Sequence, residues 1–411
     1  MKKWILSVMA TMLMVISLPV YAVESDTATT PKFKDVPTTH WAYTSIMQGA
    51  GKGYVKGFPN GTFKPNDPVT SSQFISMLIL SLTSKDESGV INWSKNTLDL
   101  IPEFAKSTMI YGVQYDFGQG SPWYINYVNI AKDFGVINNE FEGRYNEPLT
   151  RERTAAIVKG MDEYLNDVVT DAYAKIAAGQ IKDSNKIDEF LRVSAGATLI
   201  RGIMTGFPDG TWKPKKVITR AEAIAIIERV NNKSIRRPMQ PNMTGVFYSD
   251  VPSYGYSELK RIVFTNNEMK KVYDSLSGTL DSFQGSYLSD TGILRYYKDE
   301  VEKEKDIRKN FFFEDFTDPV QYYDLAINPT GNVYNLFINF KSGSLERSSK
   351  PLDQFLSMIF STNDAATVRK LITDRIADQT SDIKKTVGKR EVVISSDGDI
   401  LFIAISAYQD R

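Results

Sequence analysis

The 411-residue chain has no cysteine and a single histidine, His40. Without cysteine there are neither disulfides nor thiolate metal sites, so stability has to come from core packing. One histidine rules out a His-rich zinc site, and any Ser-His-Asp triad would have to use His40. Excess charge is missing as well: 49 basic side chains meet 49 acidic ones, which leaves no basic-patch argument for nucleic acid. The sequence has one long apolar run, Trp4 to Pro19, behind Lys2-Lys3 and ahead of Val20-Tyr21-Ala22. It is shorter than the roughly 20 residues of a membrane span, and the charged start with small residues before a polar stretch predicts a secretory signal over residues 1–22. No later stretch is apolar enough to cross a bilayer, so no membrane span is expected in the mature chain. Phosphate-binding Gly-rich loops, Gly-x-Ser-x-Gly elbows and His-bearing metal motifs are also absent, so no cofactor, metal or catalytic residue is assigned.

What the sequence does contain is a repeat. Gly206-Phe207-Pro208-Asp209-Gly210-Thr211-Trp212-Lys213-Pro214 is turn chemistry: Pro fixes φ, Asp bonds its own backbone and Gly accepts positive φ. Thr219 and Glu222 then have the spacing of a capping box, ahead of a helix with Ile224, Ile227 and Val230 on one face. An offset of 149 maps Gly206 back to Gly57, Trp212 to Phe63, Thr219 to Thr70 and Glu222 to Gln73, the second capping box. An offset of 82 carries Trp41 to Trp123 and Phe63 to Tyr145, and Thr150-Arg151-Glu152-Arg153 follows after a loop two residues shorter. Each copy is an aromatic-led helix, a turn-rich loop and a second helix, and such units bury their apolar faces against one another. The copies span 33–83, 121–165 and 181–232, with 84–120 read as a helical connector containing a helix near Leu98 to Ile110, and another helix through Asp167 to Ala178.

Thr70 with Gln73, Thr150, and Thr219 with Glu222 are expected to be structural caps. Arg220 is the odd residue. A cation in the first turn opposes the helix dipole by a few tenths of a kcal/mol, roughly, and Arg beside free backbone N–H groups suits a carboxylate. Arg151 repeats it in copy two, whereas copy one has Ser71.

With Phe33-Lys34-Asp35-Val36, His40-Trp41-Ala42 and Thr219-Arg220-Ala221-Glu222, the triple repeat resembles the S-layer homology (SLH) domain over about half the chain. The resemblance implies a mainly helical, pseudo-threefold bundle whose grooves bind secondary wall polysaccharide linked to peptidoglycan, often carrying acidic ketal pyruvate. It also implies a secreted protein held non-covalently at a bacterial cell wall or S-layer. On this reading Arg151 and Arg220 are glycan ligands, the alternative being solvated surface arginines, and the groove with Ser71 is weakened or differently used. Trp41 and Trp123 are sugar platforms or packing residues. Asp35 and Asp183 are caps or acceptors for sugar hydroxyls. Gly57 and Gly206 serve the turn, and in the family the backbone there approaches the ligand.

After a Pro-containing linker at 233–242, residues 243–411 read as one α+β domain, making the whole an α+β multidomain protein. Hairpins are expected at Tyr323–Ile327 with Tyr334–Phe340 and at Glu391–Ile394 with Ile400–Ile403, with helix across Leu352 to Asp378. Lys298 to Lys309 reads as a solvated helix with Glu304 paired to Arg308. The domain resembles no family. Its expected role is binding or structure, with a wall-anchored glycan hydrolase as the alternative and a lattice-forming subunit as a further one.

Overall fold

The computed structural model describes residues 33–85, 91–100, 122–138, 141–252, 258–277, 286–288, 292–312, 322–341, 343–378 and 381–407. The expected signal at 1–22 lies outside them, as do most of the connector and the side chain of Arg308.

The amino-terminal half is helical. α1 (Tyr43–Gly51) and α2 (Ser71–Leu82) come first, followed by a small hairpin, β1 (Thr83–Lys85) with β2 (Ile91–Trp93), and α3 (Lys95–Leu100). The connector is therefore not wholly helical: its described part opens as a hairpin. Ser94 N and Thr97 Oγ1 both donate to Leu82 O at the end of α2, which turns the chain back before α3 begins. Then come α4 (Ile125–Asp133), α5 (Arg151–Leu165), α6 (Asp171–Gly179), α7 (Arg192–Ile200) and α8 (Arg220–Asn231). One apolar core, from Val36 to Val230, joins them. Gly196 lets α7 lie backbone-to-backbone on α6, since a Cβ there would sit 1.8 Å from Ala174 O.

The residues just before the three second helices close a ring. Val69 N donates to Ile218 O at 3.2 Å, Ile218 N to Leu149 O at 3.0 Å, and Leu149 N to Val69 O at 2.9 Å. Each side chain is buried, and each repeat contributes one residue. Three short segments thus satisfy one another's backbone groups, which no single repeat could do.

The carboxy-terminal half is an α+β unit. β3 (Phe247–Pro252) and β4 (Leu259–Phe264) form a hairpin, followed by α9 (Asn267–Ser277), β5 (Ser286–Leu288), β6 (Leu294–Tyr297) and α10 (Glu300–Phe312). The hairpin of β7 (Tyr323–Asn328) and β8 (Val333–Asn339) leads into α11 (Ser344–Arg347), α12 (Ser349–Ile359) and α13 (Thr362–Ala377). β9 (Ile383–Val387), β10 (Arg390–Asp397) and β11 (Ile400–Ser406) complete an antiparallel seven-stranded sheet of order β5-β6-β7-β8-β11-β10-β9. Period-two alternation pairs buried with buried: Leu336 lies opposite Ile403 and Ile338 opposite Leu401, and α9, α12 and α13 cover that face. The segment before this unit is strapped down rather than loose. Arg237 N donates to Gly202 O, Met239 N to Leu199 O, and Arg236 Nη2 lies 2.9 Å from Asp162 Oδ1.

Candidate functional site

At the ring, each second helix starts against the loop of another repeat. Arg220 N and Ala221 N donate to Asp67 O and Pro65 O, Arg151 N and Glu152 N to Lys216 O and Pro214 O, and Ser71 N and Ser72 N to Glu147 O and Tyr145 O. In α2 and α8 the third amide goes to the N-cap: Thr70 with Gln73, and Thr219 with Glu222, form reciprocal capping boxes. Thr150 occupies the same position but caps nothing, and its Oγ1 is buried without a partner. Arg153 stands where the box needs Glu or Gln, and as a pure donor it cannot accept from the N-cap amide. The expectation of free helix N–H groups is likewise corrected, because loop carbonyls occupy them.

Arg220 and Arg151 are not solvated. They are 7% and 6% exposed, and each guanidinium straps a neighbouring repeat. Arg220 donates from Nε to Phe63 O (2.9 Å) and from Nη2 to Lys56 O (3.0 Å), and lies over the rings of Phe58 and Phe63. Arg151 does the same at the next junction, to Trp212 O (2.7 Å) and Thr205 O (2.8 Å), over Phe207 and Trp212. Burial lowers both pKa values, Arg151 to about 10, so both remain cations at neutral pH. Nε and Nη2 are committed in each case, which leaves the Nη1 edge. Beside it a lysine lies over the same phenyl ring, Lys64 on Phe58 at 4.6 Å and Lys213 on Phe207 at 4.2 Å. These phenylalanines and lysines are assigned no role by the sequence reading, although the 149-residue offset repeats both.

The aspartates are committed too. Asp35 accepts from Phe63 N and Lys64 N, each at 2.7 Å, and Asp183 from Trp212 N (2.7 Å) and Lys213 N (2.8 Å). They fasten the only two non-glycine residues with positive φ among those described, Lys64 (59°) and Lys213 (58°). Burial raises the Asp35 pKa, but the two amides and the Arg220 charge outweigh it and hold it below the usual value. Gly57 is hemmed in by Phe33 and Thr62 O, whereas a Cβ on Gly206 would meet only Thr211 O, at 3.4 Å. Trp41 and Trp123 are 64% and 55% exposed, and the repeat-equivalent Phe190 is 67% exposed. His40 Nδ1 accepts from Ala42 N and so belongs to the start of α1.

A helical module repeated three times, with each second helix started by the loop of another copy, defines a repeat protein whose units pack on one another. The profile of the S-layer homology domain matches residues 32–75 and 200–224, which lie in the first and third copies of the repeat. Relatives include the amylopullulanase of Thermoanaerobacterium thermosulfurigenes, 27% identical over 49% of this chain and 10% of that protein. The S-layer protein sap of Bacillus anthracis is 27% identical over 49% of this chain and 21% of its own length. The cellulosome-anchoring protein of Acetivibrio thermocellus is 26% identical over 52% and 43%. The matches thus span less than half of each relative.

Proposed function

We propose that the repeat half is a pseudo-threefold SLH bundle that holds the protein non-covalently on peptidoglycan-linked secondary wall polysaccharide, while residues 243–411 are the displayed binding or structural domain. The protein is a secreted, cell-wall- and S-layer-associated one, with the segment at 1–22 as its leader. The observation that carries the binding reading is the pair of junctions at Arg151 and Arg220. Each presents a fixed guanidinium edge and a lysine around one phenyl ring, which suits a carboxylate on a sugar. The exposed Trp41 and Trp123 faces are the complementary platforms for sugar C–H surfaces. Gly206 leaves room for close backbone approach.

Because both tryptophans are exposed, Trp41→Ala with Trp123→Ala should leave the melting temperature within about a degree or two. Co-sedimentation of the full chain with purified walls should then fall at least tenfold, by rough expectation for losing two stacking platforms. Unchanged sedimentation would overturn the assignment. The enzyme relatives match this chain only in its repeat region, so they tie no residue of 243–411 to catalysis. Zymography of the full chain on wall glycans tests the hydrolase alternative, and a cleared band would establish it.

A further inference from the structure

At the opposite ends of the helices from the ring, α1, the end of α2, the β1–α3 turn and the last turn of α8 enclose a cleft of about 740 Å³. Its lining carries no net charge and is mostly polar by residue type, although carbon atoms make up the larger share of its surface. Hydroxyl and amide side chains dominate, among them Gln48, Asn96 and Asn231, and the two charges, Lys52 and Glu228, are of opposite sign. A phosphate or polyanion would need a net positive charge, so the polar chemistry offered is that of neutral donors and acceptors.

The cleft is also built rather than incidental. Tyr54 is 4% exposed, yet its hydroxyl has no hydrogen-bond partner among the described residues. Its ring fits against α1 because Gly49 has no side chain: a Cβ there would lie 2.9 Å from Cε2 and Cζ of Tyr54. Burial first, and the neighbouring Glu228 second, push the tyrosine pKa well above its usual value, so the hydroxyl keeps its proton and can both donate and accept. Asn231 is anchored through Ser81 Oγ and Ile227 O, which fixes one wall, whereas Gln48 and Asn96 are exposed at its rim. The Tyr54 hydroxyl meets the cleft from an otherwise buried side chain, and with the exposed amides of Gln48 and Asn96 it offers donors and acceptors that suit a polyhydroxylated ligand.

We propose that this cleft is a second saccharide site, for an uncharged oligosaccharide, separate from the junctions at Arg151 and Arg220. It does not depend on what those junctions bind. Isothermal titration of the full chain with cellotetraose and with chitotetraose tests it, with tetragalacturonate as the charged control. The expected result is saturable binding of at least one neutral tetrasaccharide, stronger than that of the control and unchanged by Trp41→Ala with Trp123→Ala. Tyr54→Phe, which keeps the ring packed, should weaken it about fivefold, the loss of one neutral hydrogen bond. Adding Asn96→Ala should weaken it further at an unchanged melting temperature. Absence of binding by both neutral sugars, binding indifferent to these two changes, or binding abolished by the tryptophan pair would each overturn the proposal.

Discussion

The structural role of Arg220 can be read from where its nitrogens point. Nε and Nη2 satisfy Phe63 O and Lys56 O, so truncation would strand two carbonyls and remove a buried stem from between Phe58 and Phe63. Arg220→Ala should therefore destabilise the bundle by about 2–4 kcal/mol, more than the roughly 1 kcal/mol expected for loss of the cap in Glu222→Ala. Denaturant melts check the order, and equal effects would mean that the strap contributes nothing. A second prediction concerns Asp35. Its folded pKa is depressed below the usual carboxylate value, so the stability it contributes is present above the unfolded value and is lost as pH falls through the folded one. Asp35→Asn should accordingly narrow the stability difference between pH 6 and pH 3, as read by denaturant midpoints. An unaltered pH profile would mean that the amides of Phe63 and Lys64 do not hold the carboxylate in solution.

The three second helices differ at their first turns, and the difference falls on one junction. α8 and α5 each begin with an arginine strap, whereas α2 begins with Ser71, whose buried Oγ has no partner. Opposite it, Arg153 of α5 lies over Phe141 with Nη1 on Glu147 and with Nε and Nη2 buried and unpaired. Arginine is thus supplied to this junction from the wrong helix, without loop carbonyls to receive it. Moving it back should help: Ser71→Arg combined with Arg153→Glu supplies the strap to α2 and gives Thr150 a box partner. A gain of about 1–2 kcal/mol is expected, measurable as a higher denaturant midpoint, with Arg153→Glu alone gaining less. A lower midpoint for the double variant would show that the shortened loop cannot accept a strap. Much at this scale was legible from local residues. Both capping boxes are Thr-x-x-Gln or Thr-x-x-Glu spacings, and both carboxy-terminal hairpins are alternations around turn residues. The straps were not legible, because Arg220 finds its carbonyls 157 and 164 positions away and Arg151 finds its own 61 and 54 away. A motif shows that an arginine recurs, but only the packing of repeat on repeat shows what it faces.

Across the whole molecule the same limit applies to the seam between the halves. The prolines at 238 and 241 suggest a boundary in sequence, but nothing local indicates that the β3–β4 hairpin docks on α6 and the end of α7. Thr170 Oγ1 donates to Arg261 O at 2.7 Å, Arg261 lies over Tyr173, and Arg201 reaches Glu258 at 2.6 Å. At the centre Lys260, only 7% exposed, meets Asp167 at 2.8 Å. An ion pair this dry contributes little beyond an apolar pair of similar volume, but removing one member leaves a charge without compensation. The halves should therefore unfold as one cooperative unit, and Lys260→Ala should cost about 3–5 kcal/mol at the seam. Calorimetry of the full chain should give a single transition for the natural sequence and two for Lys260→Ala, as the carboxy-terminal half is released from the bundle. Lys260→Met with Asp167→Leu removes both charges, and should restore a single transition. Two transitions in the natural sequence, or an unsplit profile in Lys260→Ala, would show that the displayed domain rides on the bundle without being fixed to it.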